Sequence, residues 1–224
     1  MRFTRHGLRE LLIGSFVLAL TAFALGWVWL PLAALVLPLL VFLFAFFRDP
    51  ERANGGASTT YVSPADGKVS DVTSLDHDPL IDGPATRIGI FLSVFNVHVN
   101  RSPCDGVVKD VIYKKGKFIN ALDHSKASSD NESNTIVIAD PETGEVVAVV
   151  KQIVGLIARR IVCTKQVGDT VARGERIGMI KFGSRTELTV PQRLGPEVLV
   201  GVGEKVQGAR TGMVEAGSAA TAAA

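Results

Sequence analysis

The chain has 224 residues, 47% of them hydrophobic, with a mean hydropathy of +0.28. That is too apolar for an ordinary soluble domain and points to a membrane segment joined to one globular domain. A net charge of +2 gives no ground for nucleic-acid binding, and two cysteines 59 positions apart make neither a zinc pattern nor a disulfide framework, which suits a reducing compartment.

Residues 1–47 read as a membrane anchor. Leu11 to Phe47 is a run of 37 residues without a charge, whereas one spanning helix needs about 20. Two short spans are therefore expected, broken near Gly26–Pro31, where proline disfavours helix continuation and Trp27 and Trp29 suit a membrane–water interface. Arg2, Arg5 and Arg9 precede the run, and Arg48 and Arg52 follow it. A two-helix hairpin puts both basic flanks on the cytoplasmic side, and with them the globular domain. One long tilted span, or a re-entrant hairpin in one leaflet, is the alternative.

Residues 48–60 form a polar, Gly-rich linker, and residues 61–206 read as a mainly β domain, a compact barrel or sandwich. Short β-type runs lie at residues 88–94, 107–113, 135–138, 146–150, 161–163 and 176–180, punctuated by Pro, Gly or Asn. Pro141-Glu142-Thr143-Gly144 marks a hairpin turn. From Gln207 to Ala224 the Ala- and Gly-rich composition predicts a disordered tail. Two segments, Tyr61–Val69 with Pro64-Ala65-Asp66-Gly67, and Val167–Gly178, resemble the hammerhead strands of biotinyl and lipoyl carrier domains. No exposed Met-Lys-Met or Asp-Lys-Ala tip accompanies them, so the resemblance implies architecture rather than modification.

Gly183-Ser184 follows the run at 176–180. Glycine tolerates strained backbone and leaves its carbonyl open to attack, and the Ser184 hydroxyl is one residue away. An N-to-O acyl shift, β-elimination and hydrolysis at this bond would leave a pyruvoyl group on a new N-terminus. Gly-Ser alone is a common turn dipeptide, so the surrounding motifs have to decide.

Those motifs occur in order: Pro64-Ala65-Asp66-Gly67, then Phe95-Asn96-Val97-His98-Val99-Asn100-Arg101-Ser102-Pro103, then Asp130-Asn131-Glu132-Ser133-Asn134, then Phe182-Gly183-Ser184-Arg185. As an ordered set behind a hydrophobic N-terminus they closely resemble the short, bacterial-type, pyruvoyl-dependent phosphatidylserine decarboxylases. The resemblance covers roughly residues 40 to 200. It implies autocatalytic cleavage between Gly183 and Ser184 into a β chain of residues 1–183 and an α chain of residues 184–224, with Ser184 becoming the pyruvoyl group. That group would form a Schiff base with the substrate amine and act as the electron sink for loss of CO2, in place of pyridoxal phosphate.

The resemblance further implies an Asp-His-Ser arrangement for maturation. His98 matches the base for Ser184, and Asp66 the carboxylate that orients it. His98 could also assist decarboxylation. Asn131 and Glu132 are candidates for contacts near the pyruvoyl group, and Arg159 and Arg160 for the lipid phosphate. His124 reads as a loop residue, and no metal ligands are expected. The anchor favours a phospholipid headgroup met at the interface, hence phosphatidylserine to phosphatidylethanolamine plus CO2 at the inner membrane, with homo-oligomerisation left open. An archaeal-type phosphoserine lipid would look the same. The competing readings are a membrane-tethered hammerhead module with an intact Gly183-Ser184 bond, and a serine hydrolase, which lacks G-x-S-x-G.

Overall fold

The computed structural model describes residues 2–119, 124–156, 160–181 and 183–217, which fall into two compact units. One comprises the chain through Glu51 together with Val94–Val97, and the other comprises Arg52–Ser93 with the chain from His98 onward.

The first unit is helical. α1 (Leu8–Val28) leaves Leu12 and Phe23 about seven-tenths exposed, as expected of a helix whose solvent is lipid. Trp29 is extended (φ −163°, ψ 117°) and ends it. The second apolar half is not one helix. α2 (Leu30–Ala33), a 3-10 turn (Ala34–Val36) and α3 (Leu37–Phe46) follow one another, with a proline in the first turn of each α segment. Pro31 and Pro38 remove backbone donors and divide the run. Among the described residues only Arg5–Val28 is long and apolar enough to cross a membrane, and the apolar stretch Leu30–Phe46 is shorter. The transmembrane hairpin expected from composition is thus not supported, because the half after Pro31 is divided again near Pro38 and is too short to span. Within this unit Phe95 meets Phe42 edge-on at 6.1 Å, and Arg48 Nη2 donates to the Phe95 carbonyl at 2.7 Å.

The second unit is mainly β, as expected. Its strands are β1 (Thr60–Val62), β2 (Gly67–Asp78), β3 (Gly83–Leu92), β4 (Val99–Arg101), β5 (Gly106–Lys114), β6 (Ser133–Ala139) and β7 (Val146–Val154). β8 (Arg160–Cys163), β9 (Thr170–Val171), β10 (Arg176–Lys181), β11 (Ser184–Pro191), β12 (Glu197–Val198), β13 (Lys205–Val206) and β14 (Gly212–Glu215) complete them, and α4 (His124–Asp130) precedes β6. They form an eight-stranded sheet of order β13-β2-β3-β11-β7-β6-β5-β9 and two three-stranded sheets, β4-β10-β8 and β1-β14-β12. The large sheet is open among the described residues, with β13 and β9 at its edges. Ile88, Ile90, Ile136, Val150, Leu188 and Met213 belong to one buried core cluster.

Both carrier-like segments dock beside β4. Arg101 N donates to the Pro64 carbonyl at 2.9 Å, and Ser102 N to the Glu175 carbonyl at 2.8 Å.

The stretch from Gln207, expected from its composition to be disordered, contains β14. β14 is the middle strand of its sheet, and Met213 and Val214 are fully buried. Two apolar side chains in Gly-Met-Val-Glu outweigh the small residues around them, since each buried side chain of this size stabilises by about 1.5–3 kcal/mol. Truncation after Thr211 should therefore prevent folding or lower the urea midpoint sharply.

Candidate active site

β10 and β11 lie in different sheets, and the chain passes between them around Gly183. Gly183 has φ +38°, a conformation that L side chains rarely adopt, so glycine is required at this corner. Ser184 opens β11 in the interior of the large sheet, opposite Leu92 of β3 on one side and Val154 of β7 on the other. It is fully buried, and among the described residues its Oγ has no hydrogen-bond partner. A buried hydroxyl without a partner costs roughly 1–3 kcal/mol, and such atoms ask for an explanation in chemistry.

His98 is fully buried just before β4. Its carbonyl accepts a hydrogen bond from Ile180 N at 3.2 Å, four residues ahead of Ser184. Asp66 lies in the turn between β1 and β2 and is also buried. Its partner differs from the sequence expectation. Both carboxylate oxygens face the Arg52 guanidinium, Oδ2 at 2.7 Å from Nη2, and Gly208 N donates to Oδ1 at 2.9 Å. Among the described residues Asp66 makes no hydrogen bond to His98. Arg52 also donates to the Gly208 carbonyl at 2.8 Å, which ties together the start of the β domain, the Asp66 turn and the C-terminal segment.

Asn131 is fully buried and its amide serves the backbone. Oδ1 accepts from Ile119 N, and Nδ2 donates to the carbonyls of Ile119 and Val154, each at 2.8 Å. Both amide hydrogens are thereby used in holding the segment at Ile119 to the end of β7. The Glu132 carboxylate beside the Tyr113 hydroxyl holds that phenol above its ordinary pKa. Arg160 is exposed on β8, opposite Lys181 of β10. Arg159 lies outside the described residues. His124 begins α4.

Sequence reasoning gave no role to Arg185 and read Arg52 only as an anchor flank. Arg185 projects from the face of β11 opposite to Ser184 and is fully buried. Nη2 reaches Asp71 Oδ1 at 2.7 Å, Nε donates to Glu187 Oε1 at 2.9 Å, and Ser128 of α4 donates to the same Glu187 oxygen at 2.7 Å. A Cβ at residue 89 would come within 2.0 Å of the guanidinium, so Gly89 leaves the room it occupies. The sequence carries no apolar/polar alternation at Ser184–Thr189 that could have marked Arg185 as buried.

A serine hydroxyl buried directly after a left-handed glycine, where the chain changes sheets, suits a proenzyme that processes its own backbone. A family model described as phosphatidylserine decarboxylase matches residues 39–213, and the chain belongs to that family. It is 47% identical over 204 residues to the phosphatidylserine decarboxylase proenzyme of Rhodopirellula baltica, covering 91% of this chain and 84% of that one. The proenzyme of Solidesulfovibrio magneticus is 49% identical over 191 residues (85% and 86%), and that of Ralstonia nicotianae 44% over 205 residues (90% of each).

Proposed function

We propose that the chain is a proenzyme that cleaves itself between Gly183 and Ser184 and then decarboxylates phosphatidylserine to phosphatidylethanolamine at a membrane. The observation that supports this most is the buried Ser184 Oγ without a partner, placed directly after Gly183 at φ +38°. In the precursor, Oγ adds to the Gly183 carbonyl while His98 takes its proton, and the acyl group moves from nitrogen to oxygen. β-Elimination releases the Gly183 carboxylate and leaves a dehydroalanine. Tautomerisation and hydrolysis then consume one water and release one ammonia, leaving a pyruvoyl group on the Arg185 nitrogen.

The residues present fit that group, because it is made from Ser184 itself in a site closed to solvent. When formed, it supplies a carbonyl that condenses with the headgroup amine and an electron sink for the departing CO2. The chain's own part is to hold and protonate. β3 and β7 fix the new N-terminus from both sides, and Arg185 locks the next residue through Asp71 and Glu187. His98 is the group we assign to return a proton after CO2 leaves. The Arg52–Asp66 pair supports the site by fixing the turn that leads into β2. Arg160, on an exposed strand next to β10, is assigned to the lipid phosphate. The two carrier-like segments beside β4 are read as a hammerhead-like support for His98. The apolar N-terminus keeps the site at the interface, and the basic flanks put the β domain on the cytoplasmic face of the inner membrane.

Intact-mass measurement of purified protein tests the reading. Two fragments are expected, the smaller resisting Edman degradation and weighing one ammonia less than a peptide that starts at serine. An active preparation containing only the uncleaved chain would sink it. Extraction tests the anchor. The full chain should stay with membranes through high salt and carbonate, and deletion of residues 1–47 should give a more soluble domain that still self-cleaves. Gly183, Ser184 and His98 all lie in the β unit. Release of the full chain by salt alone would make the attachment peripheral.

A further inference from the structure

Four polar side chains lie between Ser184 and the apolar core. Asn134 of β6 donates through Nδ2 to Gln152 Oε1 at 3.0 Å. Gln152 of β7 donates through Nε2 to Asn100 Oδ1 at 2.9 Å, and Asn100 of β4 donates through Nδ2 to Thr186 Oγ1 of β11 at 3.0 Å. Gln152, Asn100 and Thr186 are fully buried, and Asn134 is 4% exposed. Burying amides is costly unless each is matched, and a matched chain fixes the orientation of every member. One step further along the same faces, Leu188, Val150 and Ile136 show that this sheet readily takes an apolar filling.

The chain of amides joins two sheets. β4 belongs to β4-β10-β8, and β11, β7 and β6 belong to the eight-stranded sheet. The Asn100–Thr186 bond is thus a side-chain link between the strand that follows His98 and the strand that begins with Ser184. His98 stands two residues before Asn100, and Ser184 two residues before Thr186. Alternation puts Ser184 and Thr186 on one face of β11. Two residues of strand span only about 7 Å, so any slip of β4 against β11 passes directly to the histidine and the serine.

We propose that the Asn134–Gln152–Asn100–Thr186 chain is a positioning device for self-processing, which sets β4 against β11 and so places the His98 imidazole for the Ser184 hydroxyl. Thr186 and Asn100 are positioning residues, acting through His98. The inference rests on His98 being the maturation base.

The test is a double-mutant cycle on the cleavage rate of the full-length precursor, synthesised in the presence of detergent and followed on gels, with thermal unfolding measured in parallel. Thr186→Val keeps the volume and removes the acceptor. It should slow cleavage by about 10–100-fold, the scale of a misplacement near 1 Å, and Thr186→Ser should restore most of the rate. In the His98→Ala background, itself slowed about 10²–10⁴-fold, adding Thr186→Val should change nothing further. Equal losses in both backgrounds would overturn the proposal, because a merely structural effect does not need the histidine. Wild-type cleavage by Thr186→Val would overturn it as well. Wild-type cleavage by His98→Ala would instead remove the base assignment, and the proposal with it. Should Thr186→Val fail to fold, Gln152→Met breaks the chain one bond further away and is read in the same cycle.

Discussion

Ser184→Ala should accumulate as a single uncleaved chain with no decarboxylase activity and should be as stable as the wild-type precursor or more so, by up to about 1–3 kcal/mol. The Ser184 Oγ has no hydrogen bond to lose among the described residues, so its removal deprives no other group of a partner. The backbone of residue 184 stays paired with Leu92 and Val154 whatever its side chain. Loss of function with an intact fold is the expected signature of a residue retained for its chemistry. Gel mobility, activity and a urea midpoint check all three. A cleaved product from this variant would place the nucleophile elsewhere.

The second large effect belongs to Arg52 and Asp66. Their side chains are 8% and 11% exposed. Removing one partner of a buried ion pair leaves the other charge unmatched and costs about 3–5 kcal/mol, a large share of the 5–15 kcal/mol that holds a typical domain together. Asp66→Asn and Arg52→Gln should therefore be destabilised to similar degrees in urea, and should mature slowly to similar degrees. If Asp66 instead works directly on His98, Arg52→Gln will mature at the normal rate once corrected for stability, and Asp66→Asn will not. Replacing both together, as Arg52→Met with Asp66→Leu, should recover much of the stability, since no charge is then left buried and alone.

The parts of this fold written in apolar residues were legible in the sequence. β3, β5, β6, β7, β8 and β10 all fall on Val- and Ile-rich runs. β11, the strand on which the site depends, was not seen. Ser-Arg-Thr-Glu-Leu-Thr reads as surface, yet every residue from Ser184 to Pro191 is buried. Its polar side chains are matched by groups distant in sequence, such as Asp71 and Ser128, and no local pattern announces such matches. β14 escaped notice for the opposite reason, being two apolar residues inside an Ala- and Gly-rich stretch. At the proposed site, Gly183-Ser184 stood out from an ordinary turn dipeptide only in the company of the other ordered motifs. The Arg52–Asp66 pair was not readable, since the two residues stand in separate connecting segments, before and after β1, that share no regular element. The second apolar segment was overread because the sequence reading takes Pro31 only as the break between two spans and gives no weight to Pro38, which divides the second of them.

The position of Ser184 has a consequence for the lifetime of the molecule. Cleavage at the proposed Gly183–Ser184 bond would sever the connection between β10 and β11, but the α chain would still supply β11 to the interior of the large sheet, β13 to its edge, and β12 and β14 to a separate sheet. While folded, the two pieces are interlocked and the cut is silent. Once unfolded, they drift apart, and reassembly becomes a second-order search in which one short fragment must insert between β3 and β7. The uncut precursor would refold as one chain, whereas the cut form would have to find its partner fragment. Durability then depends on the rate of opening rather than on an equilibrium, and recovery after denaturant should rise with protein concentration for the cut form alone. Each molecule folds once, and its working life lasts as long as that first fold.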